Sequence, residues 1–405
     1  MSRAVTSHRY AGVVLELRSG GDISTLLMVP GPTNVPERVR QAMMKPIISH
    51  RGPEFRSLYK GIIENLKYLF QTEGDVFVHS VSGTGGVDCM ISNVVSPGDK
   101  VLIPVFGLFS ERMREKIIRR GGIPVEVRLK YGEGPTAEEI SRSLDREKDV
   151  RIIAIVYNET STGVTVRDLP AIGKIAKERD ALLLVDAVSI LGGDKLPVDD
   201  WNIDICVAGS QKCLACPPGL SVISVSEYAW KKIEETSMKP YYHDLTIMRK
   251  FQTRYETPFT PSIPLFYALD ESLKMIREEG LENRFMRHKV CSEAFYSAVE
   301  AMGLEAFPER EFRSNTVIAI KKPKNVNVED VRRIMREKYR VVIAGGAGKV
   351  KDEIFRIGCM GVISAYETLV TIDALEKSLN AVGFPVEIGT GTVAARRSLK
   401  RFFRL

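Results

Sequence analysis

Short apolar runs alternate with amphipathic segments along residues 76–226 of the chain. The apolar runs have the length of buried strands and read VFVHSV, KVLIPV, IPVEVRL, VRIIAIVYN, ALLLVDAV, IDICVAG and LSVISVS. Between the earlier runs lie GVDCMISNVV, LFSERMREKIIRR, TAEEISRSLDRE and RDLPAIGKIAKER, in which apolar residues recur at helical spacing. This alternation predicts an α/β fold with a mainly parallel, seven-stranded sheet that is covered by helices on both faces. Such sheets bind their ligands at the carboxyl ends of the strands.

A second pattern begins near residue 265 and continues to residue 384. It opens with the helical stretch ALDESLKMIREEGLENRFMRHKVCSEAFYSAVEAMG and continues with strand-like NTVIAI and RVVIAG around the helical VEDVRRIMREKY. This mixture predicts a smaller α+β C-terminal domain, joined to the first through the proline-rich TPFTPSIP. We therefore expect an N-terminal extension (1–27), a large domain (28–270), a small domain (271–385) and a basic tail (386–405).

The composition is that of an ordinary globular protein, with 44% hydrophobic and 27% charged residues. No run approaches the roughly 18 consecutive apolar residues of a membrane span, so we expect no membrane partner and a cytoplasmic location. The net charge of +7 raises the question of nucleic acid, but much of the excess lies in the tail AARRSLKRFFRL, which has no acidic residue. Such a run is typical of a solvated or subunit-packing tail, and we expect no nucleic-acid partner.

Three of the predicted strands end in residues that can carry chemistry. Asp186 ends one strand and Lys212 follows another. The cluster Gly83, Gly85 and Gly86 follows a third. Each feature alone has an ordinary explanation, as a turn-capping carboxylate, a solvated lysine or a plain turn. Together, at one edge of a sheet, they meet the needs of one cofactor, pyridoxal phosphate.

Pyridoxal phosphate makes three demands on a protein. A lysine amine binds its aldehyde as a Schiff base, which requires partial desolvation so that the pKa of the amine falls. A carboxylate keeps the pyridine nitrogen protonated, because the positive ring is the electron sink. Backbone N–H groups at a helix N-terminus hold the phosphate. Lys212, Asp186 and the segment SVSGTGGVDCM are the candidates for these three tasks.

The segment QKCLACPPG also allows a different interpretation, because Cys213 and Cys216 form a Cys-x-x-Cys pair. Six cysteines are too sparse for a disulfide scaffold, and no second pair completes a zinc site. We therefore expect no metal and interpret the two cysteines as small packing residues. Redox chemistry stays open here, since the sequence does not show whether Cys213 faces the core.

Several segments carry a family resemblance. They are VPGPTNVPERV, SVSGTGGVD, NETSTGV, LLLVDAVSILGG, GSQKCLACPPGLS, TPFTPSIPLFYAL and FRIGCMG. In this order they resemble class V aminotransferases of the alanine–glyoxylate and serine–pyruvate group, over roughly residues 28–385. The S-Q-K-x-L-x-x-P-P-G element is the specific signature. The resemblance implies fold type I of the pyridoxal-phosphate-dependent transferases, with a large cofactor-binding domain and a small C-terminal domain.

The resemblance assigns roles to the residues that match the family's motifs. Lys212 is implied to be the Schiff-base lysine, and Asp186 the partner of the pyridine nitrogen. Val188 and Phe109 are implied to pack on opposite faces of the ring, and Thr160 to face its hydroxyl side. The residues implied to hold the phosphate are Thr84, Gly85, Gly86 and Gln211, with Gly86 contributing its main-chain donor.

The resemblance also implies a homodimer with shared active sites. Thr260, and less directly Thr257, matches positions that reach the cofactor phosphate of the partner subunit. Arg356, in EIFRIG, matches the arginine that binds the substrate α-carboxylate, a task that suits the fork of a guanidinium. The main chain of Gly31, in VPGPTN, is implied to line the substrate site.

The leading interpretation is an aminotransferase that moves the amino group of serine or alanine to glyoxylate or pyruvate. The alternative is a lyase or a cysteine desulfurase with the same cofactor, for which Cys359 is the candidate nucleophile. Desulfurases carry a histidine just before the lysine, where this chain has Gln211. A third interpretation, a basic binding protein without activity, conflicts with the intact pair of Lys212 and Asp186.

Overall fold

The computed structural model describes residues 9–10, 13–14, 25–236 and 238–403. The strands are β1 (Arg9–Tyr10), β2 (Val13–Val14), β3 (Leu26–Leu27), β4 (Asp75–His79), β5 (Lys100–Val105), β6 (Ile123–Arg128), β7 (Ile152–Val156), β8 (Asn158–Glu159), β9 (Val164–Thr165), β10 (Leu182–Asp186), β11 (Ile205–Gly209), β12 (Ser221–Val225), β13 (Val317–Lys321), β14 (Val341–Val342), β15 (Ala344–Gly345) and β16 (Ile354–Gly358). The α-helices are α1 (Glu37–Ala42), α2 (Pro53–Phe70), α3 (Gly83–Val94), α4 (Leu108–Arg119), α5 (Ala137–Arg146), α6 (Leu169–Glu178), α7 (Glu227–Glu235), α8 (Leu245–Gln252), α9 (Ile263–Glu279), α10 (Leu281–Ala301), α11 (Val328–Tyr339), α12 (Ala365–Ala381) and α13 (Thr390–Leu399).

Within these ranges, seven strands form the main sheet in the order β4-β12-β11-β10-β7-β5-β6. Strand β12 runs antiparallel to both of its neighbours, and the other pairs are parallel. All five residues of β7, β10 and β11 are buried. Burial on both faces explains why their sequences are nearly unbroken apolar runs. The predicted α/β fold with a mainly parallel sheet of seven strands is confirmed.

The strands β4, β10 and β11 point in the same direction, so their carboxyl ends meet at one edge of the sheet. The turn after β4 leads into α3, and Asp186 is the last residue of β10. Lys212 lies in the turn that follows β11. The fold therefore brings the three sequence-predicted groups to the edge at which parallel sheets bind ligands.

A second hydrophobic core lies in the C-terminal part of the chain. Its sheet has the order β13-β16-β15, and both pairs are antiparallel. The helices α10, α11, α12 and α13 contribute buried residues to the same core. Phe295, Phe355 and Leu379 have almost no exposed surface in it. An antiparallel sheet covered by helices is an α+β arrangement, which differs from the layered α/β arrangement around the first sheet.

The expected domain boundary between residues 270 and 271 falls inside α9. Both halves of α9 pack on the first core, since Phe266 and Ile276 are buried there. The single helical stretch predicted over residues 268–303 is divided, because Gly280 has a φ of 78° and separates α9 from α10. We keep the division into two domains as a proposal, and the packing favours a boundary within α10.

Segments near both termini pack against the second core. Strand β3 pairs in parallel with β14, and the N–H of Met28 donates to the carbonyl of Val342 over 2.8 Å. The expected basic tail contains α13, in which Ala395 and Leu399 are fully buried against the second core. The apolar face of α13 therefore makes this part of the tail a component of the core and not a solvated appendage.

The N-terminal extension expected at residues 1–27 lies outside the described residues, apart from β1, β2 and residues 25–27. In the part of the chain that the structure describes, no helix combines the length and the apolar composition needed to cross a membrane. The histidines, cysteines and carboxylates of that part form no group of three or more that could hold a metal ion.

Candidate active site

Lys212 lies in the turn after β11 and points toward the N-terminal segment of the chain. Its Nζ donates a hydrogen bond to the carbonyl oxygen of Pro30. Burial lowers the pKa of the Lys212 amine to about 8, and the positive charge of Arg356 acts in the same direction. An amine with this pKa has a substantial neutral fraction near physiological pH, which makes it a competent nucleophile and base.

The backbone around Lys212 is held from two sides. The hydroxyl of Thr33 donates to the carbonyl of Lys212 over 3.2 Å. Arg284, a buried residue of α10, donates to the carbonyl of Cys213. Gly31 packs directly on the lysine side chain, because a Cβ at that position would lie 2.5 Å from Lys212 Cδ. Gly31 therefore leaves the space that the lysine side chain occupies.

Asp186 presents a buried carboxylate at the end of β10, with 7% of its surface exposed. Its Oδ1 accepts a hydrogen bond of 2.9 Å from the N–H of Val188. Burial raises the pKa of the Asp186 carboxyl to about 6, against the opposing effect of the Val188 N–H. A cation or a strong donor beside this carboxylate would offset the cost of burying its charge.

Asp186 and Lys212 line one cavity of about 120 Å³. Its apolar walls include Phe109 from α4 and Val188 from the turn after β10. Of the other predicted cofactor residues, Thr84, Thr160 and Gln211 also line this cavity, and Gly85 and Gly86 do not. The lining residues are Gly83, Thr84, Val87, Phe109, Arg112, Met113, Lys116, Val156, Asn158, Thr160, Asp186, Val188, Ser189, Gln211 and Lys212. The Oε1 atom of Gln211 is buried and has no hydrogen-bond partner among the described residues, so this oxygen is available to a donor group of a ligand.

The N-terminus of α3 opens onto the same cavity through Thr84. Ser82 caps the helix, since its hydroxyl accepts from the N–H of Gly85 over 3.3 Å. The N–H of Gly86 donates to the carbonyl of Ser82 over 3.0 Å. That N–H belongs to the first helical turn, and the role of Gly86 at the phosphate stays a prediction. Packing requires a glycine at position 86, since an added Cβ would lie 1.9 Å from the hydroxyl oxygen of Ser221.

Arg356 lies on β16, in the sheet of the second core, and its guanidinium contacts Thr160, a lining residue of the cavity. Its Nη1 donates to the carbonyl of Thr160 and its Nε to the carbonyl of Gly345, both over 2.9 Å. Burial lowers the pKa of the Arg356 guanidinium to about 10, and the negative charge of Glu159 opposes this shift. The guanidinium also lines a neighbouring cavity of about 290 Å³ with Val29. It is thus a charged group with free donor capacity beside the lysine.

Comparison with known proteins identifies the family to which this chain belongs. The family model described as Aminotransferase class-V matches residues 25–358. The chain belongs to the class V aminotransferases.

Individual class V aminotransferases match most of this chain. The serine–glyoxylate aminotransferase of Methylorubrum extorquens is 38% identical over 388 residues, which are 92% of this chain and 96% of that enzyme. The solved structure of ureidoglycine–glyoxylate aminotransferase from Bacillus subtilis has a TM-score of 0.88 at 30% identity, over 95% of this chain and 100% of that one. The structure of alanine–glyoxylate aminotransferase from Nostoc sp. has a TM-score of 0.85 at 33% identity, over 90% and 98%.

Class V aminotransferases depend on pyridoxal phosphate, and the residues at this site fit that cofactor. The amine of Lys212 is partly desolvated, which suits bonding to an aldehyde. Asp186 is a buried carboxylate that a protonated ring nitrogen would neutralise. The N–H₂ group of Gln211, which lines the cavity, and the N–H groups at the start of α3 are the donors that would hold the phosphate, between the ring walls Phe109 and Val188.

Thr257 and Thr260 of this aminotransferase lie outside that cavity. They line a separate small cavity with Ser80 and Tyr242. Thr257 is buried, and its hydroxyl donates to the carbonyl of Phe259 over 2.8 Å. This hydroxyl donates within its own turn, and the reach of Thr257 into a partner subunit stays a prediction. Thr260 is exposed and stays a candidate for that role.

The cysteines of this aminotransferase are packing residues. Cys213 is fully buried and clusters with Val317 and Met360, and burial raises the pKa of its thiol to about 12. Cys216 is buried as well. Cys359, the candidate nucleophile of a desulfurase, is fully buried in the second core, which raises the pKa of its thiol. A buried, protonated thiol is a poor nucleophile, so the desulfurase alternative loses its key residue.

The structure adds residues that sequence reasoning did not select. Asn158 lines the cavity and donates to the hydroxyl of Ser189 over 2.7 Å. Arg112 and Lys116 add positive charge to the wall formed by α4. Glu159 is a fully buried carboxylate next to Thr160. Asn158 and Glu159 open the motif NETSTGV, and their position before Thr160 was the signal that could have drawn attention to them.

Proposed function

We propose that this aminotransferase moves the amino group of a small L-amino acid, serine or alanine, to a small 2-oxo acid, glyoxylate or pyruvate. The observation that carries the proposal is Arg356, a guanidinium whose charge acts on Lys212 and which donates to the carbonyl of Thr160, a lining residue of the cofactor cavity. Both α-amino acids and 2-oxo acids have the carboxylate that such a group binds. The three relatives described above all name glyoxylate as a substrate, which supports this acceptor.

The residues of the site divide the work of the reaction. When bound, pyridoxal phosphate supplies an aldehyde that accepts the amino group and a ring that withdraws electrons from the substrate Cα. Arg356 binds the α-carboxylate and thereby fixes the Cα. The Lys212 amine takes the proton from the Cα and returns it to the product. Asp186 keeps the proton on the ring nitrogen, and Phe109 and Val188 hold the ring plane.

We also propose a homodimer in which Thr260 serves the active site of the partner subunit. Large apolar side chains are exposed, both beside the segment that carries Thr260 and elsewhere on the surface, as interfaces require. Tyr241 is 79% exposed and packs on Phe259, the neighbour of Thr260. Met44 and Ile47 are 84% and 69% exposed. Sedimentation equilibrium of the purified protein tests the dimer, and a monomeric mass would contradict it.

We also propose that the protein is cytoplasmic. All six cysteines lie in the part of the chain that the structure describes, and they are free thiols there. Unpaired thiols are typical of reducing compartments.

The test of the substrates is a panel of amino acids added to the purified holoenzyme. We expect serine and alanine to remove the visible absorbance of the lysine-bound cofactor, and glyoxylate or pyruvate to restore it. Lys212→Ala should abolish that absorbance and lower turnover by several orders of magnitude, because nucleophile and base are lost together. Lys195→Ala, at an exposed lysine, is the control. An absorbance that resists both amino acids would contradict the substrate assignment, and near-normal turnover in Lys212→Ala would contradict the role of the lysine.

A further inference from the structure

Glu159 is a buried carboxylate between the two segments that form the walls of the active site. It ends β8 and has no exposed surface. In the described part of the chain it forms no salt bridge, and its partners are hydrogen-bond donors. Burial of an unpaired carboxylate is costly unless several donors satisfy its oxygens. The position of these donors shows what the carboxylate holds in place.

One set of donors is the first turn of α4. The N–H groups of Phe109 and Ser110 donate to Glu159 Oε2 over 3.0 and 2.9 Å. Helix α4 begins after Gly107, which has no side chain to cap the free N–H groups of that turn. Glu159 caps the helix from the neighbouring segment instead, and its negative charge is favourable at a helix N-terminus. The ring of Phe109, on the wall of the cofactor cavity, is thereby fixed through its main chain.

Gly107 is the residue that lets the carboxylate reach the helix. A Cβ at this position would lie 2.2 Å from Glu159 Cγ and 2.3 Å from its Cδ. The φ of Gly107 is 178°, which is extended backbone open to any residue, so conformational freedom does not require a glycine here. The space is needed for the side chain of Glu159.

The other set of donors is the turn that follows β8. The N–H and the hydroxyl of Ser161 donate to Glu159 Oε1 over 3.1 and 2.6 Å. The hydroxyl of Ser161 also accepts from the N–H of Leu108 over 2.9 Å, which closes a ring of hydrogen bonds between the two segments. Thr160 lies inside this turn, and its carbonyl accepts from Arg356. The same carboxylate therefore fixes the main chain on which the arginine rests.

We propose that Glu159 is a positioning residue that sets the ring wall at Phe109 and the carboxylate-binding Arg356 relative to each other. This inference rests on the proposed role of Arg356 in binding substrate. The negative charge of Glu159 has a second effect, because it favours the protonated form of the buried Arg356 guanidinium. A glutamine at position 159 removes this charge and turns an amide N–H₂ toward main-chain N–H groups, which can only donate.

The experiment compares Glu159→Gln with the conservative Glu159→Asp and with Glu115→Gln as matched control. Glu115 lies on the solvent side of the same helix, where it pairs with Arg119. We expect Glu159→Gln to weaken binding of pyridoxal phosphate to the apoprotein by about tenfold or more, the effect of losing charge-assisted hydrogen bonds. The circular dichroism of the bound cofactor should change, since the ring wall moves. The KM for glyoxylate should rise more than kcat falls, and the control should match the wild type.

The readouts separate positioning from plain stability. A lower melting temperature with unchanged cofactor affinity, dichroism and KM would overturn the proposal. If Glu159→Gln does not fold, Ser161→Ala removes the hydroxyl that donates to Glu159 and accepts from Leu108, and it leaves the charge. A smaller change in the same three quantities is then expected. Unchanged values there would also overturn it. The cofactor measurements need no substrate, so they stand even if glyoxylate is not the acceptor.

Discussion

Replacement of Gly31 by alanine tests whether the glycine exists to make room for Lys212. The φ of Gly31 is 88°, in the left-handed region that side chains disfavour. The new methyl group would lie 2.5 Å from Lys212 Cδ and 2.6 Å from its Nζ. Carbon atoms in contact need about 3.5 Å or more, so the flexible end of the lysine has to move. The backbone strain adds roughly 1 to 2 kcal/mol to the cost.

Gly98 offers a matched control for the cost of backbone strain. Its φ is 89°, and among the described residues nothing lies within 4 Å of a Cβ built on it. Gly98→Ala therefore carries the same backbone strain without the collision. Both variants should lose roughly 1 to 2 kcal/mol of unfolding free energy in urea. Only Gly31→Ala should also displace the lysine amine from the cofactor aldehyde.

The assay is titration of each apoprotein with pyridoxal phosphate, followed by the visible absorbance of the lysine-bound cofactor. We expect at least about a tenfold loss of affinity in Gly31→Ala, since the displaced amine bonds the aldehyde less favourably and each 1.4 kcal/mol of lost binding energy is about tenfold in affinity. Gly98→Ala should bind as the wild type does. Equal affinity in the two variants would refute the reasoning, because the collision would then have no consequence for Lys212.

Two further variants test the charged groups of the site. In the apoprotein, Asp186→Asn should raise stability by up to about 3 kcal/mol at pH 7 and by almost nothing below pH 4. The cost arises because the pKa of Asp186 is raised from 3.8 to about 6, so it grows between these two pH values and is constant at higher pH. Urea unfolding at both pH values measures this, and cofactor affinity should fall. Arg356→Leu should lower kcat/KM at least about 100-fold in both half-reactions and leave cofactor affinity intact, and a loss with one substrate alone would contradict a shared carboxylate site.

The sheet and its chemistry were predictable because they depend on local patterns. The seven apolar runs match the seven strands, since a strand that is buried on both faces has to be apolar along its length. Asp186 and Lys212 interrupt or follow such runs, where a charged residue has no place in a core. The direction of the strands then brings the two together. Pattern and topology alone therefore sufficed for the center of the site.

The sequence is least informative where a contact is made by residues distant in sequence or by the main chain. The helical periodicity continues through Gly280, and only its φ of 78° separates α9 from α10. Thr257 has the residue type of a phosphate ligand, but its hydroxyl bonds the carbonyl of Phe259. Gly86 has the residue type of a donor turn, but its N–H belongs to α3. A sequence motif does not show which donors are already used.

Glu159 shows the same limit for a residue that was overlooked. In the sequence it is one polar residue in a polar turn, and nothing nearby predicts its burial. Its partner is the start of α4, about fifty residues earlier, where Gly107 leaves the helix without a cap. Neither the buried Glu159 nor the uncapped start of α4 can be recognised from its own segment of sequence. The pairing becomes visible only when β8 and α4 are placed side by side.

The charges of the site also explain why ligand binding and stability should be coupled in this protein. Burial is the largest cause of the pKa shifts of Asp186, Lys212 and Arg356, and in each case it disfavours the charged form. The chain by itself therefore carries a free-energy cost for holding these groups in place. A positive ring nitrogen at Asp186 and a carboxylate at Arg356 reduce that cost, because each brings the opposite charge into the same low-dielectric surroundings. Binding energy thus comes partly from the relief of unfavourable burial, and the cofactor should stabilise the fold by more than its own contacts provide.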